Sequence, residues 1–166
     1  MIQMKRLYPG CTFRGIRGNV QTRMKKLEEE GYDGTLLAAA GLKRLGMEQV
    51  ISRYLSVDEM IPAAGQGILA VQGRKGEVHG WVDRVDVRES RAAAFAERQF
   101  IRATGGGCTS PCAAHAQVAG NELKLTGLYY NEDTDEYSVD MVVTDISKAR
   151  EAGEALAERM MRESCR

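Results

Sequence analysis

Three consecutive glycines, Gly105-Gly106-Gly107, divide the second half of this chain into a helix before them and a sheet after them. Regular structure does not run through such a stretch, because glycine supplies permissive backbone and open space instead. The residue that follows is Cys108, in Gly107-Cys108-Thr109-Ser110-Pro111. A thiol on an open loop is reachable by a bulky reactant, and its chemistry rather than its packing usually decides its presence. Two readings stand at this point. Cys108 is used covalently, as a nucleophile or attachment point, or it is incidental to a helix-to-strand turn.

The segments around the glycines read clearly. Asp86-Val87-Arg88-Glu89 has the form of a capping box and opens a helix to about residue 103, with an apolar stripe at Ala93, Ala96, Phe100 and Ile101. Strands are expected at 113–119, 123–130 and 137–144, with turns at Asn121 and 131–136. Short turns between alternating runs make an antiparallel meander. A last helix from about Ser147 carries Ile146, Ala149, Gly153, Leu156 and Met160 on one face. Helices at both ends of a small meander define an α+β unit.

The first half has a different grammar. Residues 1–7 read as the last turns of a helix, and residues 11–17 alternate as a short strand after Pro9-Gly10. Asn19 then caps a helix with Val20, Met24 and Leu27 at i, i+4 and i+7, and Gly31 ends it. The apolar run 34–40 reads as a buried strand and Gly41–Leu45 as another helical turn, which is βαβ grammar and implies a parallel sheet. A further apolar run, 68–71, follows the turn-like Pro62-Ala63-Ala64-Gly65-Gln66-Gly67 and reads as another strand. Composition changes after it, so a linker is expected at 74–85, between units at 1–73 and 86–166.

Charge narrows the function classes. Lysine plus arginine and aspartate plus glutamate number 23 each, so no global field draws the chain to nucleic acid or to an anionic membrane. Any anion site is a local cluster. Arg14, Arg17 and Arg23 form one around a helix start, where unpaired N–H groups and bidentate guanidinium suit carboxylates. Lys25 and Lys26 read as solvated helix charges. Lys43 and Arg44 follow the expected strand at its carboxyl end, where open α/β sheets bind ligands. Cys108-x3-Cys112-x2-His115 lacks a recognisable second half for zinc, so no metal is expected. The four cysteines are irregularly spaced and no secretion pattern opens the chain, which reads as reduced thiols in a cytoplasmic protein.

Four blocks then coincide with one family. Arg17-Gly18-Asn19-Val20-x-Thr22-Arg23, Leu37-Ala38-Ala39-Ala40-Gly41-Leu42-Lys43-Arg44-Leu45-Gly46, Pro62-Ala63-Ala64-Gly65-Gln66-Gly67 and the Gly-Gly-Cys-x-x-Pro block at 106–111 resemble porphobilinogen deaminase (hydroxymethylbilane synthase), in its order and spacing. The resemblance covers essentially the whole chain and about the C-terminal half of the enzyme.

The resemblance implies a tetrapyrrole-pathway transferase that condenses four porphobilinogen molecules head to tail, releases ammonia and yields hydroxymethylbilane. Its primer is a dipyrromethane cofactor held by a thioether, at the position of Cys108 here. The pyrrole acetates and propionates are carboxylates, which suits Arg17, Arg23 and Arg44, and the same match places Asn19, Ala38, Gly41 and Gln66 along the cleft. It implies a partial periplasmic-binding-protein-like domain for 1–73 and a cofactor-bearing α+β domain for 86–166. The family is monomeric; here residues 68–72 are expected to pair with a second copy or to be poorly ordered.

The departures are specific. Thr104-Gly105 stands where the family usually has Leu-Glu, and Cys112 where a small aliphatic residue is usual. Nothing here matches the family's catalytic Asp, so the chain by itself is expected not to make hydroxymethylbilane. A non-catalytic carboxylate-binding or interaction module retaining these residues is the alternative class.

Overall fold

A computed structural model describes residues 1–77, 79–106 and 111–164. The chain divides into two units, Met1–Met60 and Ile61–Arg166. Cys108, Val78 and Cys165 lie outside the described residues.

The first unit contains α1 (Ile2–Leu7), α2 (Val20–Glu29), α3 (Ala39–Arg44) and a 3-10 turn at Glu48–Val50. Asn19 caps α2 as expected, its Oδ1 accepting the Thr22 N–H at 2.8 Å. Gly31, at φ +68°, follows the helix end. The strands expected at 11–17 and 34–40 do not form, and neither does that at 68–71 in the second unit. A strand needs a neighbour to take its N–H and C=O groups, and none of these runs pairs with another. The triple alanine of the second run instead opens α3, in line with alanine's helix propensity. Among described residues 1–60, Leu42 alone is buried, so this unit has little core of its own. Leu69 and Val71, expected in a strand, are 70% and 60% exposed.

The second unit holds α4 (Val82–Val85), α5 (Arg88–Ala103), β1 (Ala113–Ala119), β2 (Glu122–Asn131), β3 (Glu136–Asp145) and α6 (Ala149–Glu163). The segment expected as a linker, 74–85, falls inside it and includes α4. The strands form one antiparallel sheet in the order β1-β2-β3. Partnered residues share a face, so Ala116, Leu125 and Val142 point one way, while Ala113, Leu128 and Val139 point the other.

Helices α5 and α6 pack on the first face around Phe100, Leu123, Leu125, Leu156 and Met160, which are fully buried. Ile61 covers part of the second face against Ala113 and Leu128. Gly127 sits at the middle of β2 because the Phe100 ring lies on it; a Cβ there would come within 2.6 Å of Phe100 Cζ.

The start of α5 differs from the capping box read in the sequence. The helix begins at Arg88, Val87 is its N-cap, and no side chain caps it. Asp86 lies one residue too early and instead accepts from Arg91 Nη1 at 2.6 Å. Its charge still faces the helix start, where it is favourable.

Candidate functional site

The sequence-predicted residues fall into two groups, one in each unit. In the first, the turn before α2 is built around Gly18, at φ +127°, where a Cβ would meet Thr22 Cγ2 at 2.7 Å. Thr22 Oγ1 also donates to Asn19 Oδ1 at 2.8 Å. Arg23 Nε donates to the Gly18 carbonyl at 2.8 Å. One of the five guanidinium donors is thus used to hold the side chain, and among the described residues the other four have no partner. The second of the four blocks comes alongside, since a Cβ at Gly41 of α3 would lie 3.6 Å from Val20 Cγ2 at the first residue of α2.

Asn19, Arg17 and Ala38 are exposed around these two helix starts, Arg44 is exposed at the far end of α3, and Gly41 is half-buried. Among the described residues Arg14, Arg17 and Arg44 form no ion pair.

Lys43 and Arg44 do not follow a strand; both lie in the last turn of α3. Lys43 is engaged locally, with Nζ 3.1 Å from Glu48 Oε1 and 5.2 Å from the centre of the Tyr54 ring. Glu48 also accepts from the Tyr54 hydroxyl at 3.0 Å. The hydrogen bond and charge of Glu48 raise the Lys43 pKa, and Lys43 lowers that of Glu48. Lys25 and Lys26 are taken up by i,i+4 pairs with Glu29 and Glu30. Of the cations singled out in the sequence, those without an ion pair among the described residues are arginines.

In the second unit, Gly65 and Gly67 take φ +78° and +85°, and two turn bonds, Gln66 N–H to Ala63 O and Ile68 N–H to Gly65 O, frame Gln66. Positive φ at both positions is a conformation that favours glycine. Gln66 is exposed between them.

The Cys108 block begins from a defined helix end. Gly105, at φ +70°, donates to Arg102 O at 3.1 Å, and Gly106 donates to Ile101 O at 2.9 Å. These are the two bonds of a Schellman cap. The Thr104-Gly105 pair therefore stops α5 sharply. Cys112, the second thiol of the block, is half-buried and packs against the core.

A residue missed in the sequence reading lies between these features. Glu97 is 3% exposed on the inward face of α5. Its Oε2 accepts from the Gly65 N–H at 2.6 Å and its Oε1 from the Ala116 N–H at 2.8 Å. His115 Nδ1 is 3.7 Å from Oε1 and pairs with it when protonated. The signal was present, because Glu97 is i+4 from Ala93 and i−3 from Phe100 and so interrupts the apolar stripe with a charge.

Burial raises the Glu97 pKa, outweighing the pull of the two N–H bonds and of His115. An acid whose pKa is raised by folding adds stability that is full below the ordinary glutamate value and is lost as pH rises through the folded value. The stability gap between the chain and its Glu97→Gln variant should therefore shrink as pH rises from the glutamate range. Urea midpoints across that range check this; a widening gap contradicts it.

The second unit is, by architecture, a small α+β domain, and comparison with known proteins says of which kind. The family model described as porphobilinogen deaminase, dipyromethane cofactor binding domain, matches residues 1–79, and that described as porphobilinogen deaminase, C-terminal domain, matches residues 92–162. The chain is 48% identical to a porphobilinogen deaminase of Ruminiclostridium josui over 159 residues, covering 96% of this chain and 55% of that protein. It is 47% identical to that of Ruminiclostridium cellulolyticum, covering 99% and 56%. With the enzyme of Thiobacillus denitrificans the identity is 41%, covering 99% and 54%. The chain belongs to the porphobilinogen deaminase family and spans about half the length of the curated relatives it matches.

Proposed function

We propose that this chain supplies the cofactor-bearing unit and part of the carboxylate-binding cleft of a hydroxymethylbilane synthase. The reaction joins four porphobilinogen molecules head to tail with release of ammonia. The observation that carries the reading is the match of both family models along the chain, with the arginine-bearing helix start in one matched segment. In this reading Cys108 holds dipyrromethane through a thioether, and Arg17, Arg23 and Arg44 meet the acetate and propionate groups. Asn19, Ala38, Gly41 and Gln66 line the path of the growing chain.

The described residues fit such a group by donor chemistry. Dipyrromethane carries several carboxylates, and Arg23 is held by one edge with its remaining donors available. When bound, the cofactor would supply the nucleophilic pyrrole carbon to which the first ring is joined. The protein's part is to hold carboxylates in place and to leave the anchor on a loop. For residues 1–73 the α/β lobe remains part of the proposal, since parallel strands form only beside neighbours. The bond to Cys108, the cytoplasmic setting and porphobilinogen as substrate belong to the proposal too.

Arg23→Ala tests the reading in a protein carrying this segment and competent to consume porphobilinogen. Removing a charge-assisted bond to a carboxylate should weaken porphobilinogen binding about ten- to a hundredfold. Gel-resolved enzyme–pyrrole complexes should then stall before the tetrapyrrole stage. Unchanged elongation would make Arg23 a surface charge and remove the main support for the cleft.

A further inference from the structure

Two donors from distant parts of the second unit converge on one side chain. Gly65 belongs to the loop that presents Gln66, and Ala116 lies in β1, an edge strand of the sheet. A stripe needing only volume would carry alanine or leucine at position 97, as it does at Ala93 and Ala96. A carboxylate has an acceptor oxygen for each donor. A glutamine has one such oxygen and would turn an NH2 group toward the other N–H. An apolar side chain would leave both N–H groups without a partner.

We propose that Glu97 is a positioning residue for Gln66: its buried carboxylate ties the Gly65-Gln66-Gly67 loop to α5 and β1 and so fixes where the Gln66 amide is presented. The inference rests on the reading of Gln66 as a residue that lines the path of the growing chain. Gly65 immediately precedes Gln66, and the turn bonds on either side pass the anchor's position directly to it. The tether acts on the backbone and leaves the Gln66 side chain exposed for a ligand.

Amide hydrogen exchange on the unaltered chain tests the anchor without any substitution. The Gly65 amide should exchange at least about tenfold more slowly than that of Gly67. A Gly65 amide as fast as Gly67 overturns the anchor, and this comparison decides it even if a variant does not fold. In Glu97→Gln, Gly65 or Ala116 should exchange about tenfold faster while Leu125 in β2 stays within about threefold of its parent value.

Porphobilinogen affinity is then compared for Gln66→Ala, Glu97→Gln and the double variant. If Glu97 acts through Gln66, each single variant loses about tenfold and the double loses no more than the larger single. Losses that multiply would make Glu97 a general structural support and overturn the positioning role. A loss in Gln66→Ala with none in Glu97→Gln refutes the positioning role alone. Intact affinity in Gln66→Ala refutes the ligand reading of Gln66 and with it the purpose assigned to the anchor.

Discussion

Gly153→Ala should lower the stability of the second unit by about 2 kcal/mol and its thermal midpoint by on the order of 10 °C. Gly153 lies on the buried face of α6, against the backbone of α5. A Cβ at this position would press on the Ala96 carbonyl oxygen, lie 2.9 Å from Phe100 N and 3.0 Å from Gln99 Cβ. Two of these three neighbours are backbone atoms in the middle of a helix, so no rotamer change relieves the clash. The helices must move apart, and Phe100, Leu156 and Met160 lose contact.

Overpacking of this kind costs roughly 3 kcal/mol, and alanine's higher helix propensity returns about 1, which leaves the net loss. A domain of this size has a stability near the low end of 5–15 kcal/mol, so the loss is large. Gly80→Ala is the control, because nothing lies within 4 Å of a Cβ there. A Gly153→Ala midpoint equal to that of the control would show that α6 is not seated as described.

The two halves of the chain differ in how far local pattern decides structure. The strands of the second unit each match the alternating runs, β1 at both ends and β2 and β3 with one further residue at each end. An antiparallel meander carries its partners next door, so alternation and turn residues suffice. The runs at 11–17, 34–40 and 68–71 have no such neighbours. A buried parallel strand is signalled only by a short apolar run, and an apolar run containing Ala38-Ala39-Ala40 serves a helix equally well.

Capping showed the same limit in miniature. Asn19 acts as a cap because its helix starts where the pattern starts, whereas α5 starts one residue later than Asp86 requires. At the candidate site, Arg23 was legible as a cation near a helix start. Its bond to Gly18 O and the pairing of Lys43 with Glu48 were not, because both depend on how turns fold back. Glu97 is hidden for a different reason. The apolar members of a helix stripe signal burial, and the charged residue between them carries the chemistry.

Substituting Cys108 by alanine should abolish covalent attachment of the cofactor, whereas Cys112→Ala should leave it intact. The thioether reading requires a sulfur that a polypyrrole can reach. Cys112 lies one residue before β1, half-buried, with its side chain packed against the core of the second unit. Alkylating that sulfur with a two-ring group would push apart the packing around Phe100 and the start of the sheet, at a cost typical of gross overpacking. Cys11 is exposed, but it lies in the first unit and outside the four blocks that resemble the family.

Cys108 has the opposite context in sequence. Three glycines precede it and a proline follows three residues later. The Gly105 cap has already ended α5 before the thiol is reached. The full effect is expected in one substitution, since a covalent anchor has no partial replacement. Protein carrying this segment, purified with its cofactor, should give a peptide map with the dipyrromethane mass on the Cys108 peptide. Cys108→Ala should run at the unmodified intact mass and form no tetrapyrrole from porphobilinogen. An adduct mapped to Cys112, or one that survives in Cys108→Ala, would move the anchor off the glycine loop and require the site to be rebuilt around a different sulfur.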